Sequence, residues 1–245
     1  MGMIKTEKEI KLLRKSAHIT DSCIKVIENS LKEVITEKEL RRRIGRKIRS
    51  QSASLSFQTI VACGKRSAII HPKPHATDNL VKGMGYADFG ASYRGYKTDI
   101  TVPFIKGRVG EKEKRIVETT LSAYRLALSS IKLGVPCWQL FQKIYKYQES
   151  RGFELKHGLG HGIGLKIHER PLIVVPKKEK LRRGKSEKKI RKWEGLKKVK
   201  FQKNMVFTIE PGVYVKGLGG CRLENDVLLI SKRPKVLTHA KLIVQ

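Results

Sequence analysis

The chain of 245 residues is long enough for one large domain or two small ones, and 40% of it is hydrophobic, enough to bury a core and to exclude wholesale disorder. Lys plus Arg number 53 against 22 Asp plus Glu, a formal charge of +31 that exceeds what solubility needs and points to a polyanionic partner. No apolar run approaches the roughly 18 residues of a membrane span, and the first residues lack the apolar segment of a secretion signal, which predicts a cytoplasmic protein without a membrane partner.

Thr6-Glu-Lys-Glu9 has the pattern of a capping box, and Ile10, Leu13, Ala17, Ile24, Ile27 and Leu31 follow at helical spacing, predicting a helix of about six turns. Thr36-Glu-Lys-Glu39 repeats the signal before a second helix with Leu40, Ile44 and Ile48 on its apolar side, among Arg41, Arg42, Arg43, Arg46, Lys47 and Arg49. Strand-like stretches come next, over 57–63, 86–91 and 96–102. A helix over 111–132, with Ile116, Ala123, Ala127 and Ile131 on one side, restarts the order. Pro136 is placed to open another that carries Leu140, Ile144 and Tyr147. Strands are expected again around 163–175, 205–215 and 223–230.

Two helical pairs, each followed by strands, predict an α+β fold of two pseudo-symmetric halves that share one curved antiparallel sheet core covered by helices. Within this single domain, residues 177–203 contain 14 Lys or Arg against Glu179, Glu187 and Glu194 and are expected to be a basic surface insertion. Cys23, Cys63, Cys137 and Cys221 lie 40, 74 and 84 residues apart, which fits neither metal-binding nor disulfide spacing and predicts buried thiols.

Asp88 and Asp99 flank a segment in which a turn near Tyr93 and Arg94 would fold two strands into a hairpin, setting the two carboxylates opposite one another. Glu210 and Glu224 repeat the arrangement around Gly217-Leu-Gly-Gly220, where an odd-length loop and a spacing of 14 allow direct opposition. Both pairs stand among apolar neighbours, where unpaired charge is costly and a cation would relieve it. In His157-Gly-Leu-Gly-His161-Gly-Ile-Gly-Leu-Lys-Ile-His168-Glu169 the glycines argue against a helix. An extended segment would put His157 and His161 on one face and the four glycines on the other, open to close approach by backbone or substrate, with His168 brought in by a bend or bulge. His18 and His239 are expected to be structural.

Ser56-Phe-Gln-Thr-Ile-Val-Ala-Cys-Gly64, Asp88-Phe-Gly with Gly95-Tyr-Lys-Thr-Asp99-Ile-Thr, the histidine and glycine segment, Thr208-Ile-Glu210-Pro-Gly and Gly220-Cys-Arg-Leu-Glu224-Asn-Asp together resemble the pita-bread metallopeptidases, most closely the Xaa-Pro branch of prolidases and Xaa-Pro aminopeptidases. The likeness runs from about Thr6 to the C-terminus apart from the basic insertion and covers the catalytic domain only. Relatives in the Xaa-Pro branch usually carry a further N-terminal domain, and methionine aminopeptidases, the sister branch, usually do not. Met84 stands where an acidic residue commonly follows Gly, and Asn225 where Asp is usual; neither removes a ligand.

The resemblance implies that Asp88, Asp99, His161, Glu210 and Glu224 hold two divalent cations (Mn, Co, Fe or Zn), with Asp99 and Glu224 bridging. It implies a bridging hydroxide as nucleophile, Glu210 as general acid and base, His71, His157 and His168 as catalytic residues beside the developing oxyanion, and His71, His168 and Arg222 as substrate-binding residues. The implied activity is a dinuclear-metal exopeptidase that cuts N-terminal peptide bonds, with Xaa-Pro peptides as substrates. The alternatives are a methionine aminopeptidase or a non-catalytic pita-bread module that binds RNA or the ribosome. The basic surface and 177–203 suggest RNA or ribosome contact in any of these cases, in a monomer or a dimer.

Overall fold

The computed structural model describes residues 2–73, 78–175, 194–231 and 233–245. Thr6 caps the first helix, α1 (Glu7–Leu31), through the expected reciprocal pair with Glu9, and Thr36 caps α2 (Glu37–Arg49). The apolar stripes of both face inward: Leu13, Ala17, Ile27, Leu40, Ile44 and Ile48 are each at most 1% exposed. The strands of this half are β1 (Ser54–Leu55), β2 (Ile60–Cys63), β3 (Gly83–Phe89), β4 (Ala91–Tyr93), β5 (Tyr96–Lys97) and β6 (Ile100–Lys106).

The second half begins with α3 (Glu111–Ser130) and α4 (Cys137–Ser150), which Pro136 opens. It continues with β7 (Gly160–Gly162), β8 (Glu169–Ile173), β9 (Met205–Ile209), β10 (Gly212–Val215), β11 (Gly219–Arg222), β12 (Asn225–Leu229), β13 (Pro234–Val236) and β14 (Ile243–Val244). Strand order makes the internal repeat visible: β6-β3-β2 in one sheet corresponds to β12-β9-β7 in the other, each a helical pair, then a strand, then a long hairpin. The sheets have four and five strands. All pairings are antiparallel except that of β14, which lies parallel to β6.

The first hairpin corrects the expected register. Its turn is Arg94-Gly95, both at positive φ (51° and 84°), as a two-residue turn matched to strand twist requires, and Tyr93 pairs with Tyr96. Asp88 therefore stands opposite Thr101 rather than Asp99. Asp99 falls two residues along the partner strand, still on the same face because side chains alternate with period two.

The second hairpin keeps the expected register. Gly212 pairs with Arg222 and Ile209 with Asn225, so Glu210 and Glu224 occupy matching positions where the ladder between the two strand pairs is interrupted. There the Glu210 amide donates to the Leu159 carbonyl, while Glu224 exchanges backbone hydrogen bonds with Thr101 at 3.2 and 3.4 Å. This Thr101 to Glu224 bridge ties the halves together, and the candidate site lies on that seam.

Of the expected basic insertion, 177–193 lies outside the described residues. The remainder is surface only in part: its lysines are exposed while Leu196, Val199 and Phe201 are buried, and Phe201 meets Phe207 at a tilt with ring centroids 5.1 Å apart. Its apolar residues at alternating positions belong to the core. The four cysteines are free and buried, as expected.

Candidate metal centre

Strand pairing brings Asp88, Asp99, Glu210 and Glu224 to the seam, where β7 adds His161. Ligand atoms of Asp99, His161 and Glu224 all lie within 4.8 Å of one another. His161 Nε2 stands 3.6 Å from Asp99 Oδ2 and 3.7 Å from Glu210 Oε1. The ring is oriented by its other nitrogen, which donates to the Gly162 carbonyl at 3.2 Å, leaving Nε2 as a bare lone pair. Burial first, and His168 next, lower the His161 pKa to about 4. The ring is therefore neutral at pH 7.

A lone pair facing two carboxylate oxygens is repulsive unless a cation lies between them. Atoms each about 2.1 Å from one ion stand roughly 3–3.5 Å apart at ordinary coordination angles, close to the spacing here. Burial is the first cause that raises the Asp99 and Glu210 carboxyls well above their usual range, and the Glu224 charge is the next. Glu224 is raised to about 7, by burial and then by Asp88. Asp88 Oδ1 and Glu224 Oε1 are buried and have no hydrogen-bond partner. Oxygen-rich donors with one imidazole, mutual repulsion and two orphaned acceptors fit divalent cations.

Around this cluster Arg222 is the principal organiser. Its side chain, 2% exposed, donates to Asp88 Oδ2 at 2.5 Å, to the Tyr214 hydroxyl at 2.7 Å, to Thr101 Oγ1 at 2.9 Å and to the Ile70 carbonyl at 3.1 Å. It also lies over the Tyr86 ring, 4.5 Å from the centroid. Burial pushes the Asp88 carboxyl up and Arg222 opposes that lift. The Thr101 hydroxyl in turn donates a hydrogen bond to Glu224 Oε2 at 2.7 Å, so arginine, threonine and glutamate form one chain across the seam.

The histidines divide. His157 precedes β7 instead of lying on it; its Nδ1 donates to the Gly158 carbonyl at 2.7 Å and its Nε2 meets the Tyr214 hydroxyl at 3.0 Å. Burial and then Arg222 lower its pKa to about 3, so Nε2 accepts from Tyr214, which in turn accepts from Arg222. His157 Nδ1 is also 3.7 Å from Glu210 Oε2.

A register shift between His161 and Gly162 and a bend over 164–168 bring His168 edge-on to His161, with centroids 4.2 Å apart. His71 is exposed at the rim, its pKa lowered by burial and then by the charge of Arg222, with Asp88 and His168 also in electrostatic reach.

Two of the glycines admit backbone, as expected: a Cβ at Gly160 would strike the Thr208 carbonyl, and one at Gly162 the Arg170 carbonyl. His18 is exposed, and His239 bonds Asp21 at 2.7 Å.

Three participants escaped sequence reasoning. Tyr214 links His157 to Arg222, Thr101 links Arg222 to Glu224, and Asp226 accepts the Asp99 amide at 3.2 Å through Oδ2. Asp226 had a signal, since it follows Glu224 by two and shares its strand face. Tyr214 and Thr101 had none, because their partners lie across the fold.

Comparison with known proteins decides the family. Residues 11–231 match the profile of metallopeptidase family M24. The chain belongs to this family.

Among M24 relatives, the Xaa-Pro dipeptidase of Pyrococcus horikoshii is 32% identical over 246 residues, covering 98% of this chain and 64% of the relative. The crystal structure of recombinant prolidase from Thermococcus sibiricus superposes with a TM-score of 0.85 at 32% identity, covering 99% of this chain and 62% of that one. That of the X-Pro aminopeptidase from Thermotoga maritima gives 0.83 at 31% identity, covering 99% and 65%. The chain thus spans less than two thirds of the length of these relatives. Its fold is the pita-bread arrangement of the M24 family. Among the described residues no helix is long and apolar enough to cross a membrane.

Proposed function

We propose that this chain is a dinuclear-metal exopeptidase that hydrolyses the N-terminal peptide bond before proline. The observation that carries the proposal is the bare Nε2 of His161 aimed at Asp99 and Glu210 within a buried carboxylate cluster. Asp88, Asp99, His161, Glu210 and Glu224 would hold two divalent ions. When bound, such ions act as Lewis acids toward a peptide carbonyl and supply a water nucleophile at neutral pH.

The chain's own residues do the rest. Glu210 sits between His157 and His161 with a raised pKa, suited to accept a proton and return it to the leaving proline nitrogen. His168, which among the described residues has none of the internal hydrogen bonds that occupy His157, is placed to donate to the carbonyl oxygen as charge develops on it. His71 at the rim orients the substrate. Arg222 and Tyr214 hold Asp88 and His157 in place.

Metal-stripped protein reloaded with Mn or Co is expected to cleave Ala-Pro or Ala-Pro-Ala in a chromatographic assay of released alanine. Preference between the two separates dipeptidase from aminopeptidase. Release of Met from Met-Ala-Ser alone would move the chain to the methionine branch. No cleavage with bound metal confirmed would leave a binding module.

The charge of +31 favours a second property, sequence-independent contact with RNA. Lys8, Lys11, Arg14, Lys15 and Lys25 are exposed along α1, and Arg42, Arg46 and Arg49 along α2. The nearby acids Asp21 and Glu28 already pair with His239 and Lys241. With about six phosphate contacts, affinity for a single-stranded RNA measured by anisotropy is expected to fall roughly 300-fold between roughly 50 and 200 mM salt. Deleting 177–193, which spares the buried Leu196, Val199 and Phe201, should flatten that dependence. An unchanged slope would refute a role for the segment.

A further inference from the structure

Outside the carboxylate cluster, among the described residues, the structure holds a largely buried ion pair whose carboxylate adjoins His168 in the chain. Lys5 Nζ is 2.6 Å from Glu169 Oε2, with side chains 0% and 10% exposed. A lysine with no exposure is costly to bury unless something fixed receives its charge. Each end of the pair is anchored. The Lys5 amide donates to the Asn204 carbonyl at 2.8 Å and Ile4 bridges to Met205, which fastens the lysine to the start of β9. Glu169 opens β8, and its second oxygen accepts the Lys166 amide at 3.0 Å.

That hydrogen bond closes the bend which carries His168. The bend is tied again where Gly164 donates to the Lys166 carbonyl and accepts from the Lys97 amide. Gly164 leaves room for the pair: a Cβ there would lie 2.8 Å from both Lys5 Nζ and Glu169 Oε2 and would push the two side-chain ends aside. Thus one carboxylate sets both the path of 164–168 and, through the adjoining residue, the direction of the His168 ring.

We propose that Lys5 and Glu169 are a positioning pair that holds His168 against His161 and over the carboxylate cluster. The role given to His168 rests on the peptidase reading above, whereas the positioning itself does not.

Two measurements on the full chain separate these. In metal-free protein, the His168 ring resonance, assigned by its loss in His168→Ala, is expected to move in Lys5→Met and in Glu169→Gln as the edge-on geometry relaxes. Glu169→Gln keeps the size of the side chain but leaves one acceptor oxygen for the two donors, Lys5 Nζ and the Lys166 amide, and serves if Lys5→Met does not fold. An unmoved resonance in a folded variant overturns the proposal whatever the activity.

In manganese-loaded protein assayed on Ala-Pro, Lys5→Met is expected to lower kcat about tenfold with KM changed less than about twofold. In a His168→Ala background the same substitution should change kcat by less than about twofold, because its effect passes through that ring. An undiminished loss in that background would show a general structural role and overturn the proposal. Wild-type inactivity on every peptide would defeat the peptidase reading and leave the resonance test to decide the pair.

Discussion

Glu224→Ala and Asp99→Ala are expected to lower peptidase turnover by about 10³-fold or more, the rate equivalent of about 4 kcal/mol of lost transition-state stabilisation, while the protein stays folded. Each substitution removes an acceptor from the tightest group of ligand atoms, formed by Asp99, His161 and Glu224. Full turnover in either variant, with metal content measured, would sink the site. Folding should survive because the carboxylates are an electrostatic burden on the metal-free chain: each raises the others, and Glu224 lies near pH 7 instead of 4.5.

The sign of the pH effect follows. A carboxyl whose folded pKa is raised keeps its proton in the native state at pH values where the unfolded chain has released it. Its contribution to stability is present at low pH and is lost as pH rises through the window from 4.5 to about 7. His157 and His161, neutral in the fold with pKa lowered to about 3 and about 4, act in the opposite direction as pH rises toward 6.5. The clean observable is therefore a difference between variants.

In chelator, Glu224→Gln keeps an acceptor for Thr101 and is expected to match wild type in urea midpoint near pH 4.5 and to exceed it at pH 8. Equal midpoints at both values would show that Glu224 carries no burden. Added Mn or Co should raise the wild-type midpoint at pH 8 and raise that of Glu224→Gln less, as binding to the native state requires.

How much of this was legible in the sequence depended on distance along the chain. Capping signals and apolar spacing placed α1, α2, α3 and α4 because those signals are local. The second hairpin was legible because its three-residue loop begins a glycine-rich run that leaves one register. The first had competing turns one residue apart, and the requirement for positive φ at both central positions selected Arg94-Gly95. The residue types of the site could be named from motifs, yet their division of labour could not. His157 and His161 look alike in sequence, and one spends both ring nitrogens on Gly158 and Tyr214 while the other points a lone pair at two carboxylates. Links such as Thr101 to Arg222, 121 residues apart, exist only once the two halves meet. The basic run misled at its end for a related reason: Val199 and Phe201 sit among lysines, but their apolar partners come from elsewhere in the fold.

Arg222→Met is expected to be the most damaging single substitution for the fold itself. Methionine fills much of the volume and keeps the apolar contact with Tyr86, so the loss falls on charge and hydrogen bonding. Asp88, 6% exposed, would lose the guanidinium bonded to it, and its other oxygen already has no hydrogen-bond partner among the described residues. The Tyr214 hydroxyl and Ile70 carbonyl would lose donors, and Thr101 would lose the arginine that fixes the direction of its hydroxyl toward Glu224. Breaking a buried pair by removing one partner costs about 3–5 kcal/mol. At about 2–4 °C per kcal/mol for a chain of this size, the metal-free melting temperature should drop by about 10 °C. A bound cation would give Asp88 a replacement for the lost charge, so Mn or Co should recover part of that drop, and Asp88→Asn in the same background should recover part of it without metal. A melting temperature that stays within about 2 °C of wild type in chelator would mean that the guanidinium chain across the seam contributes nothing to joining the halves.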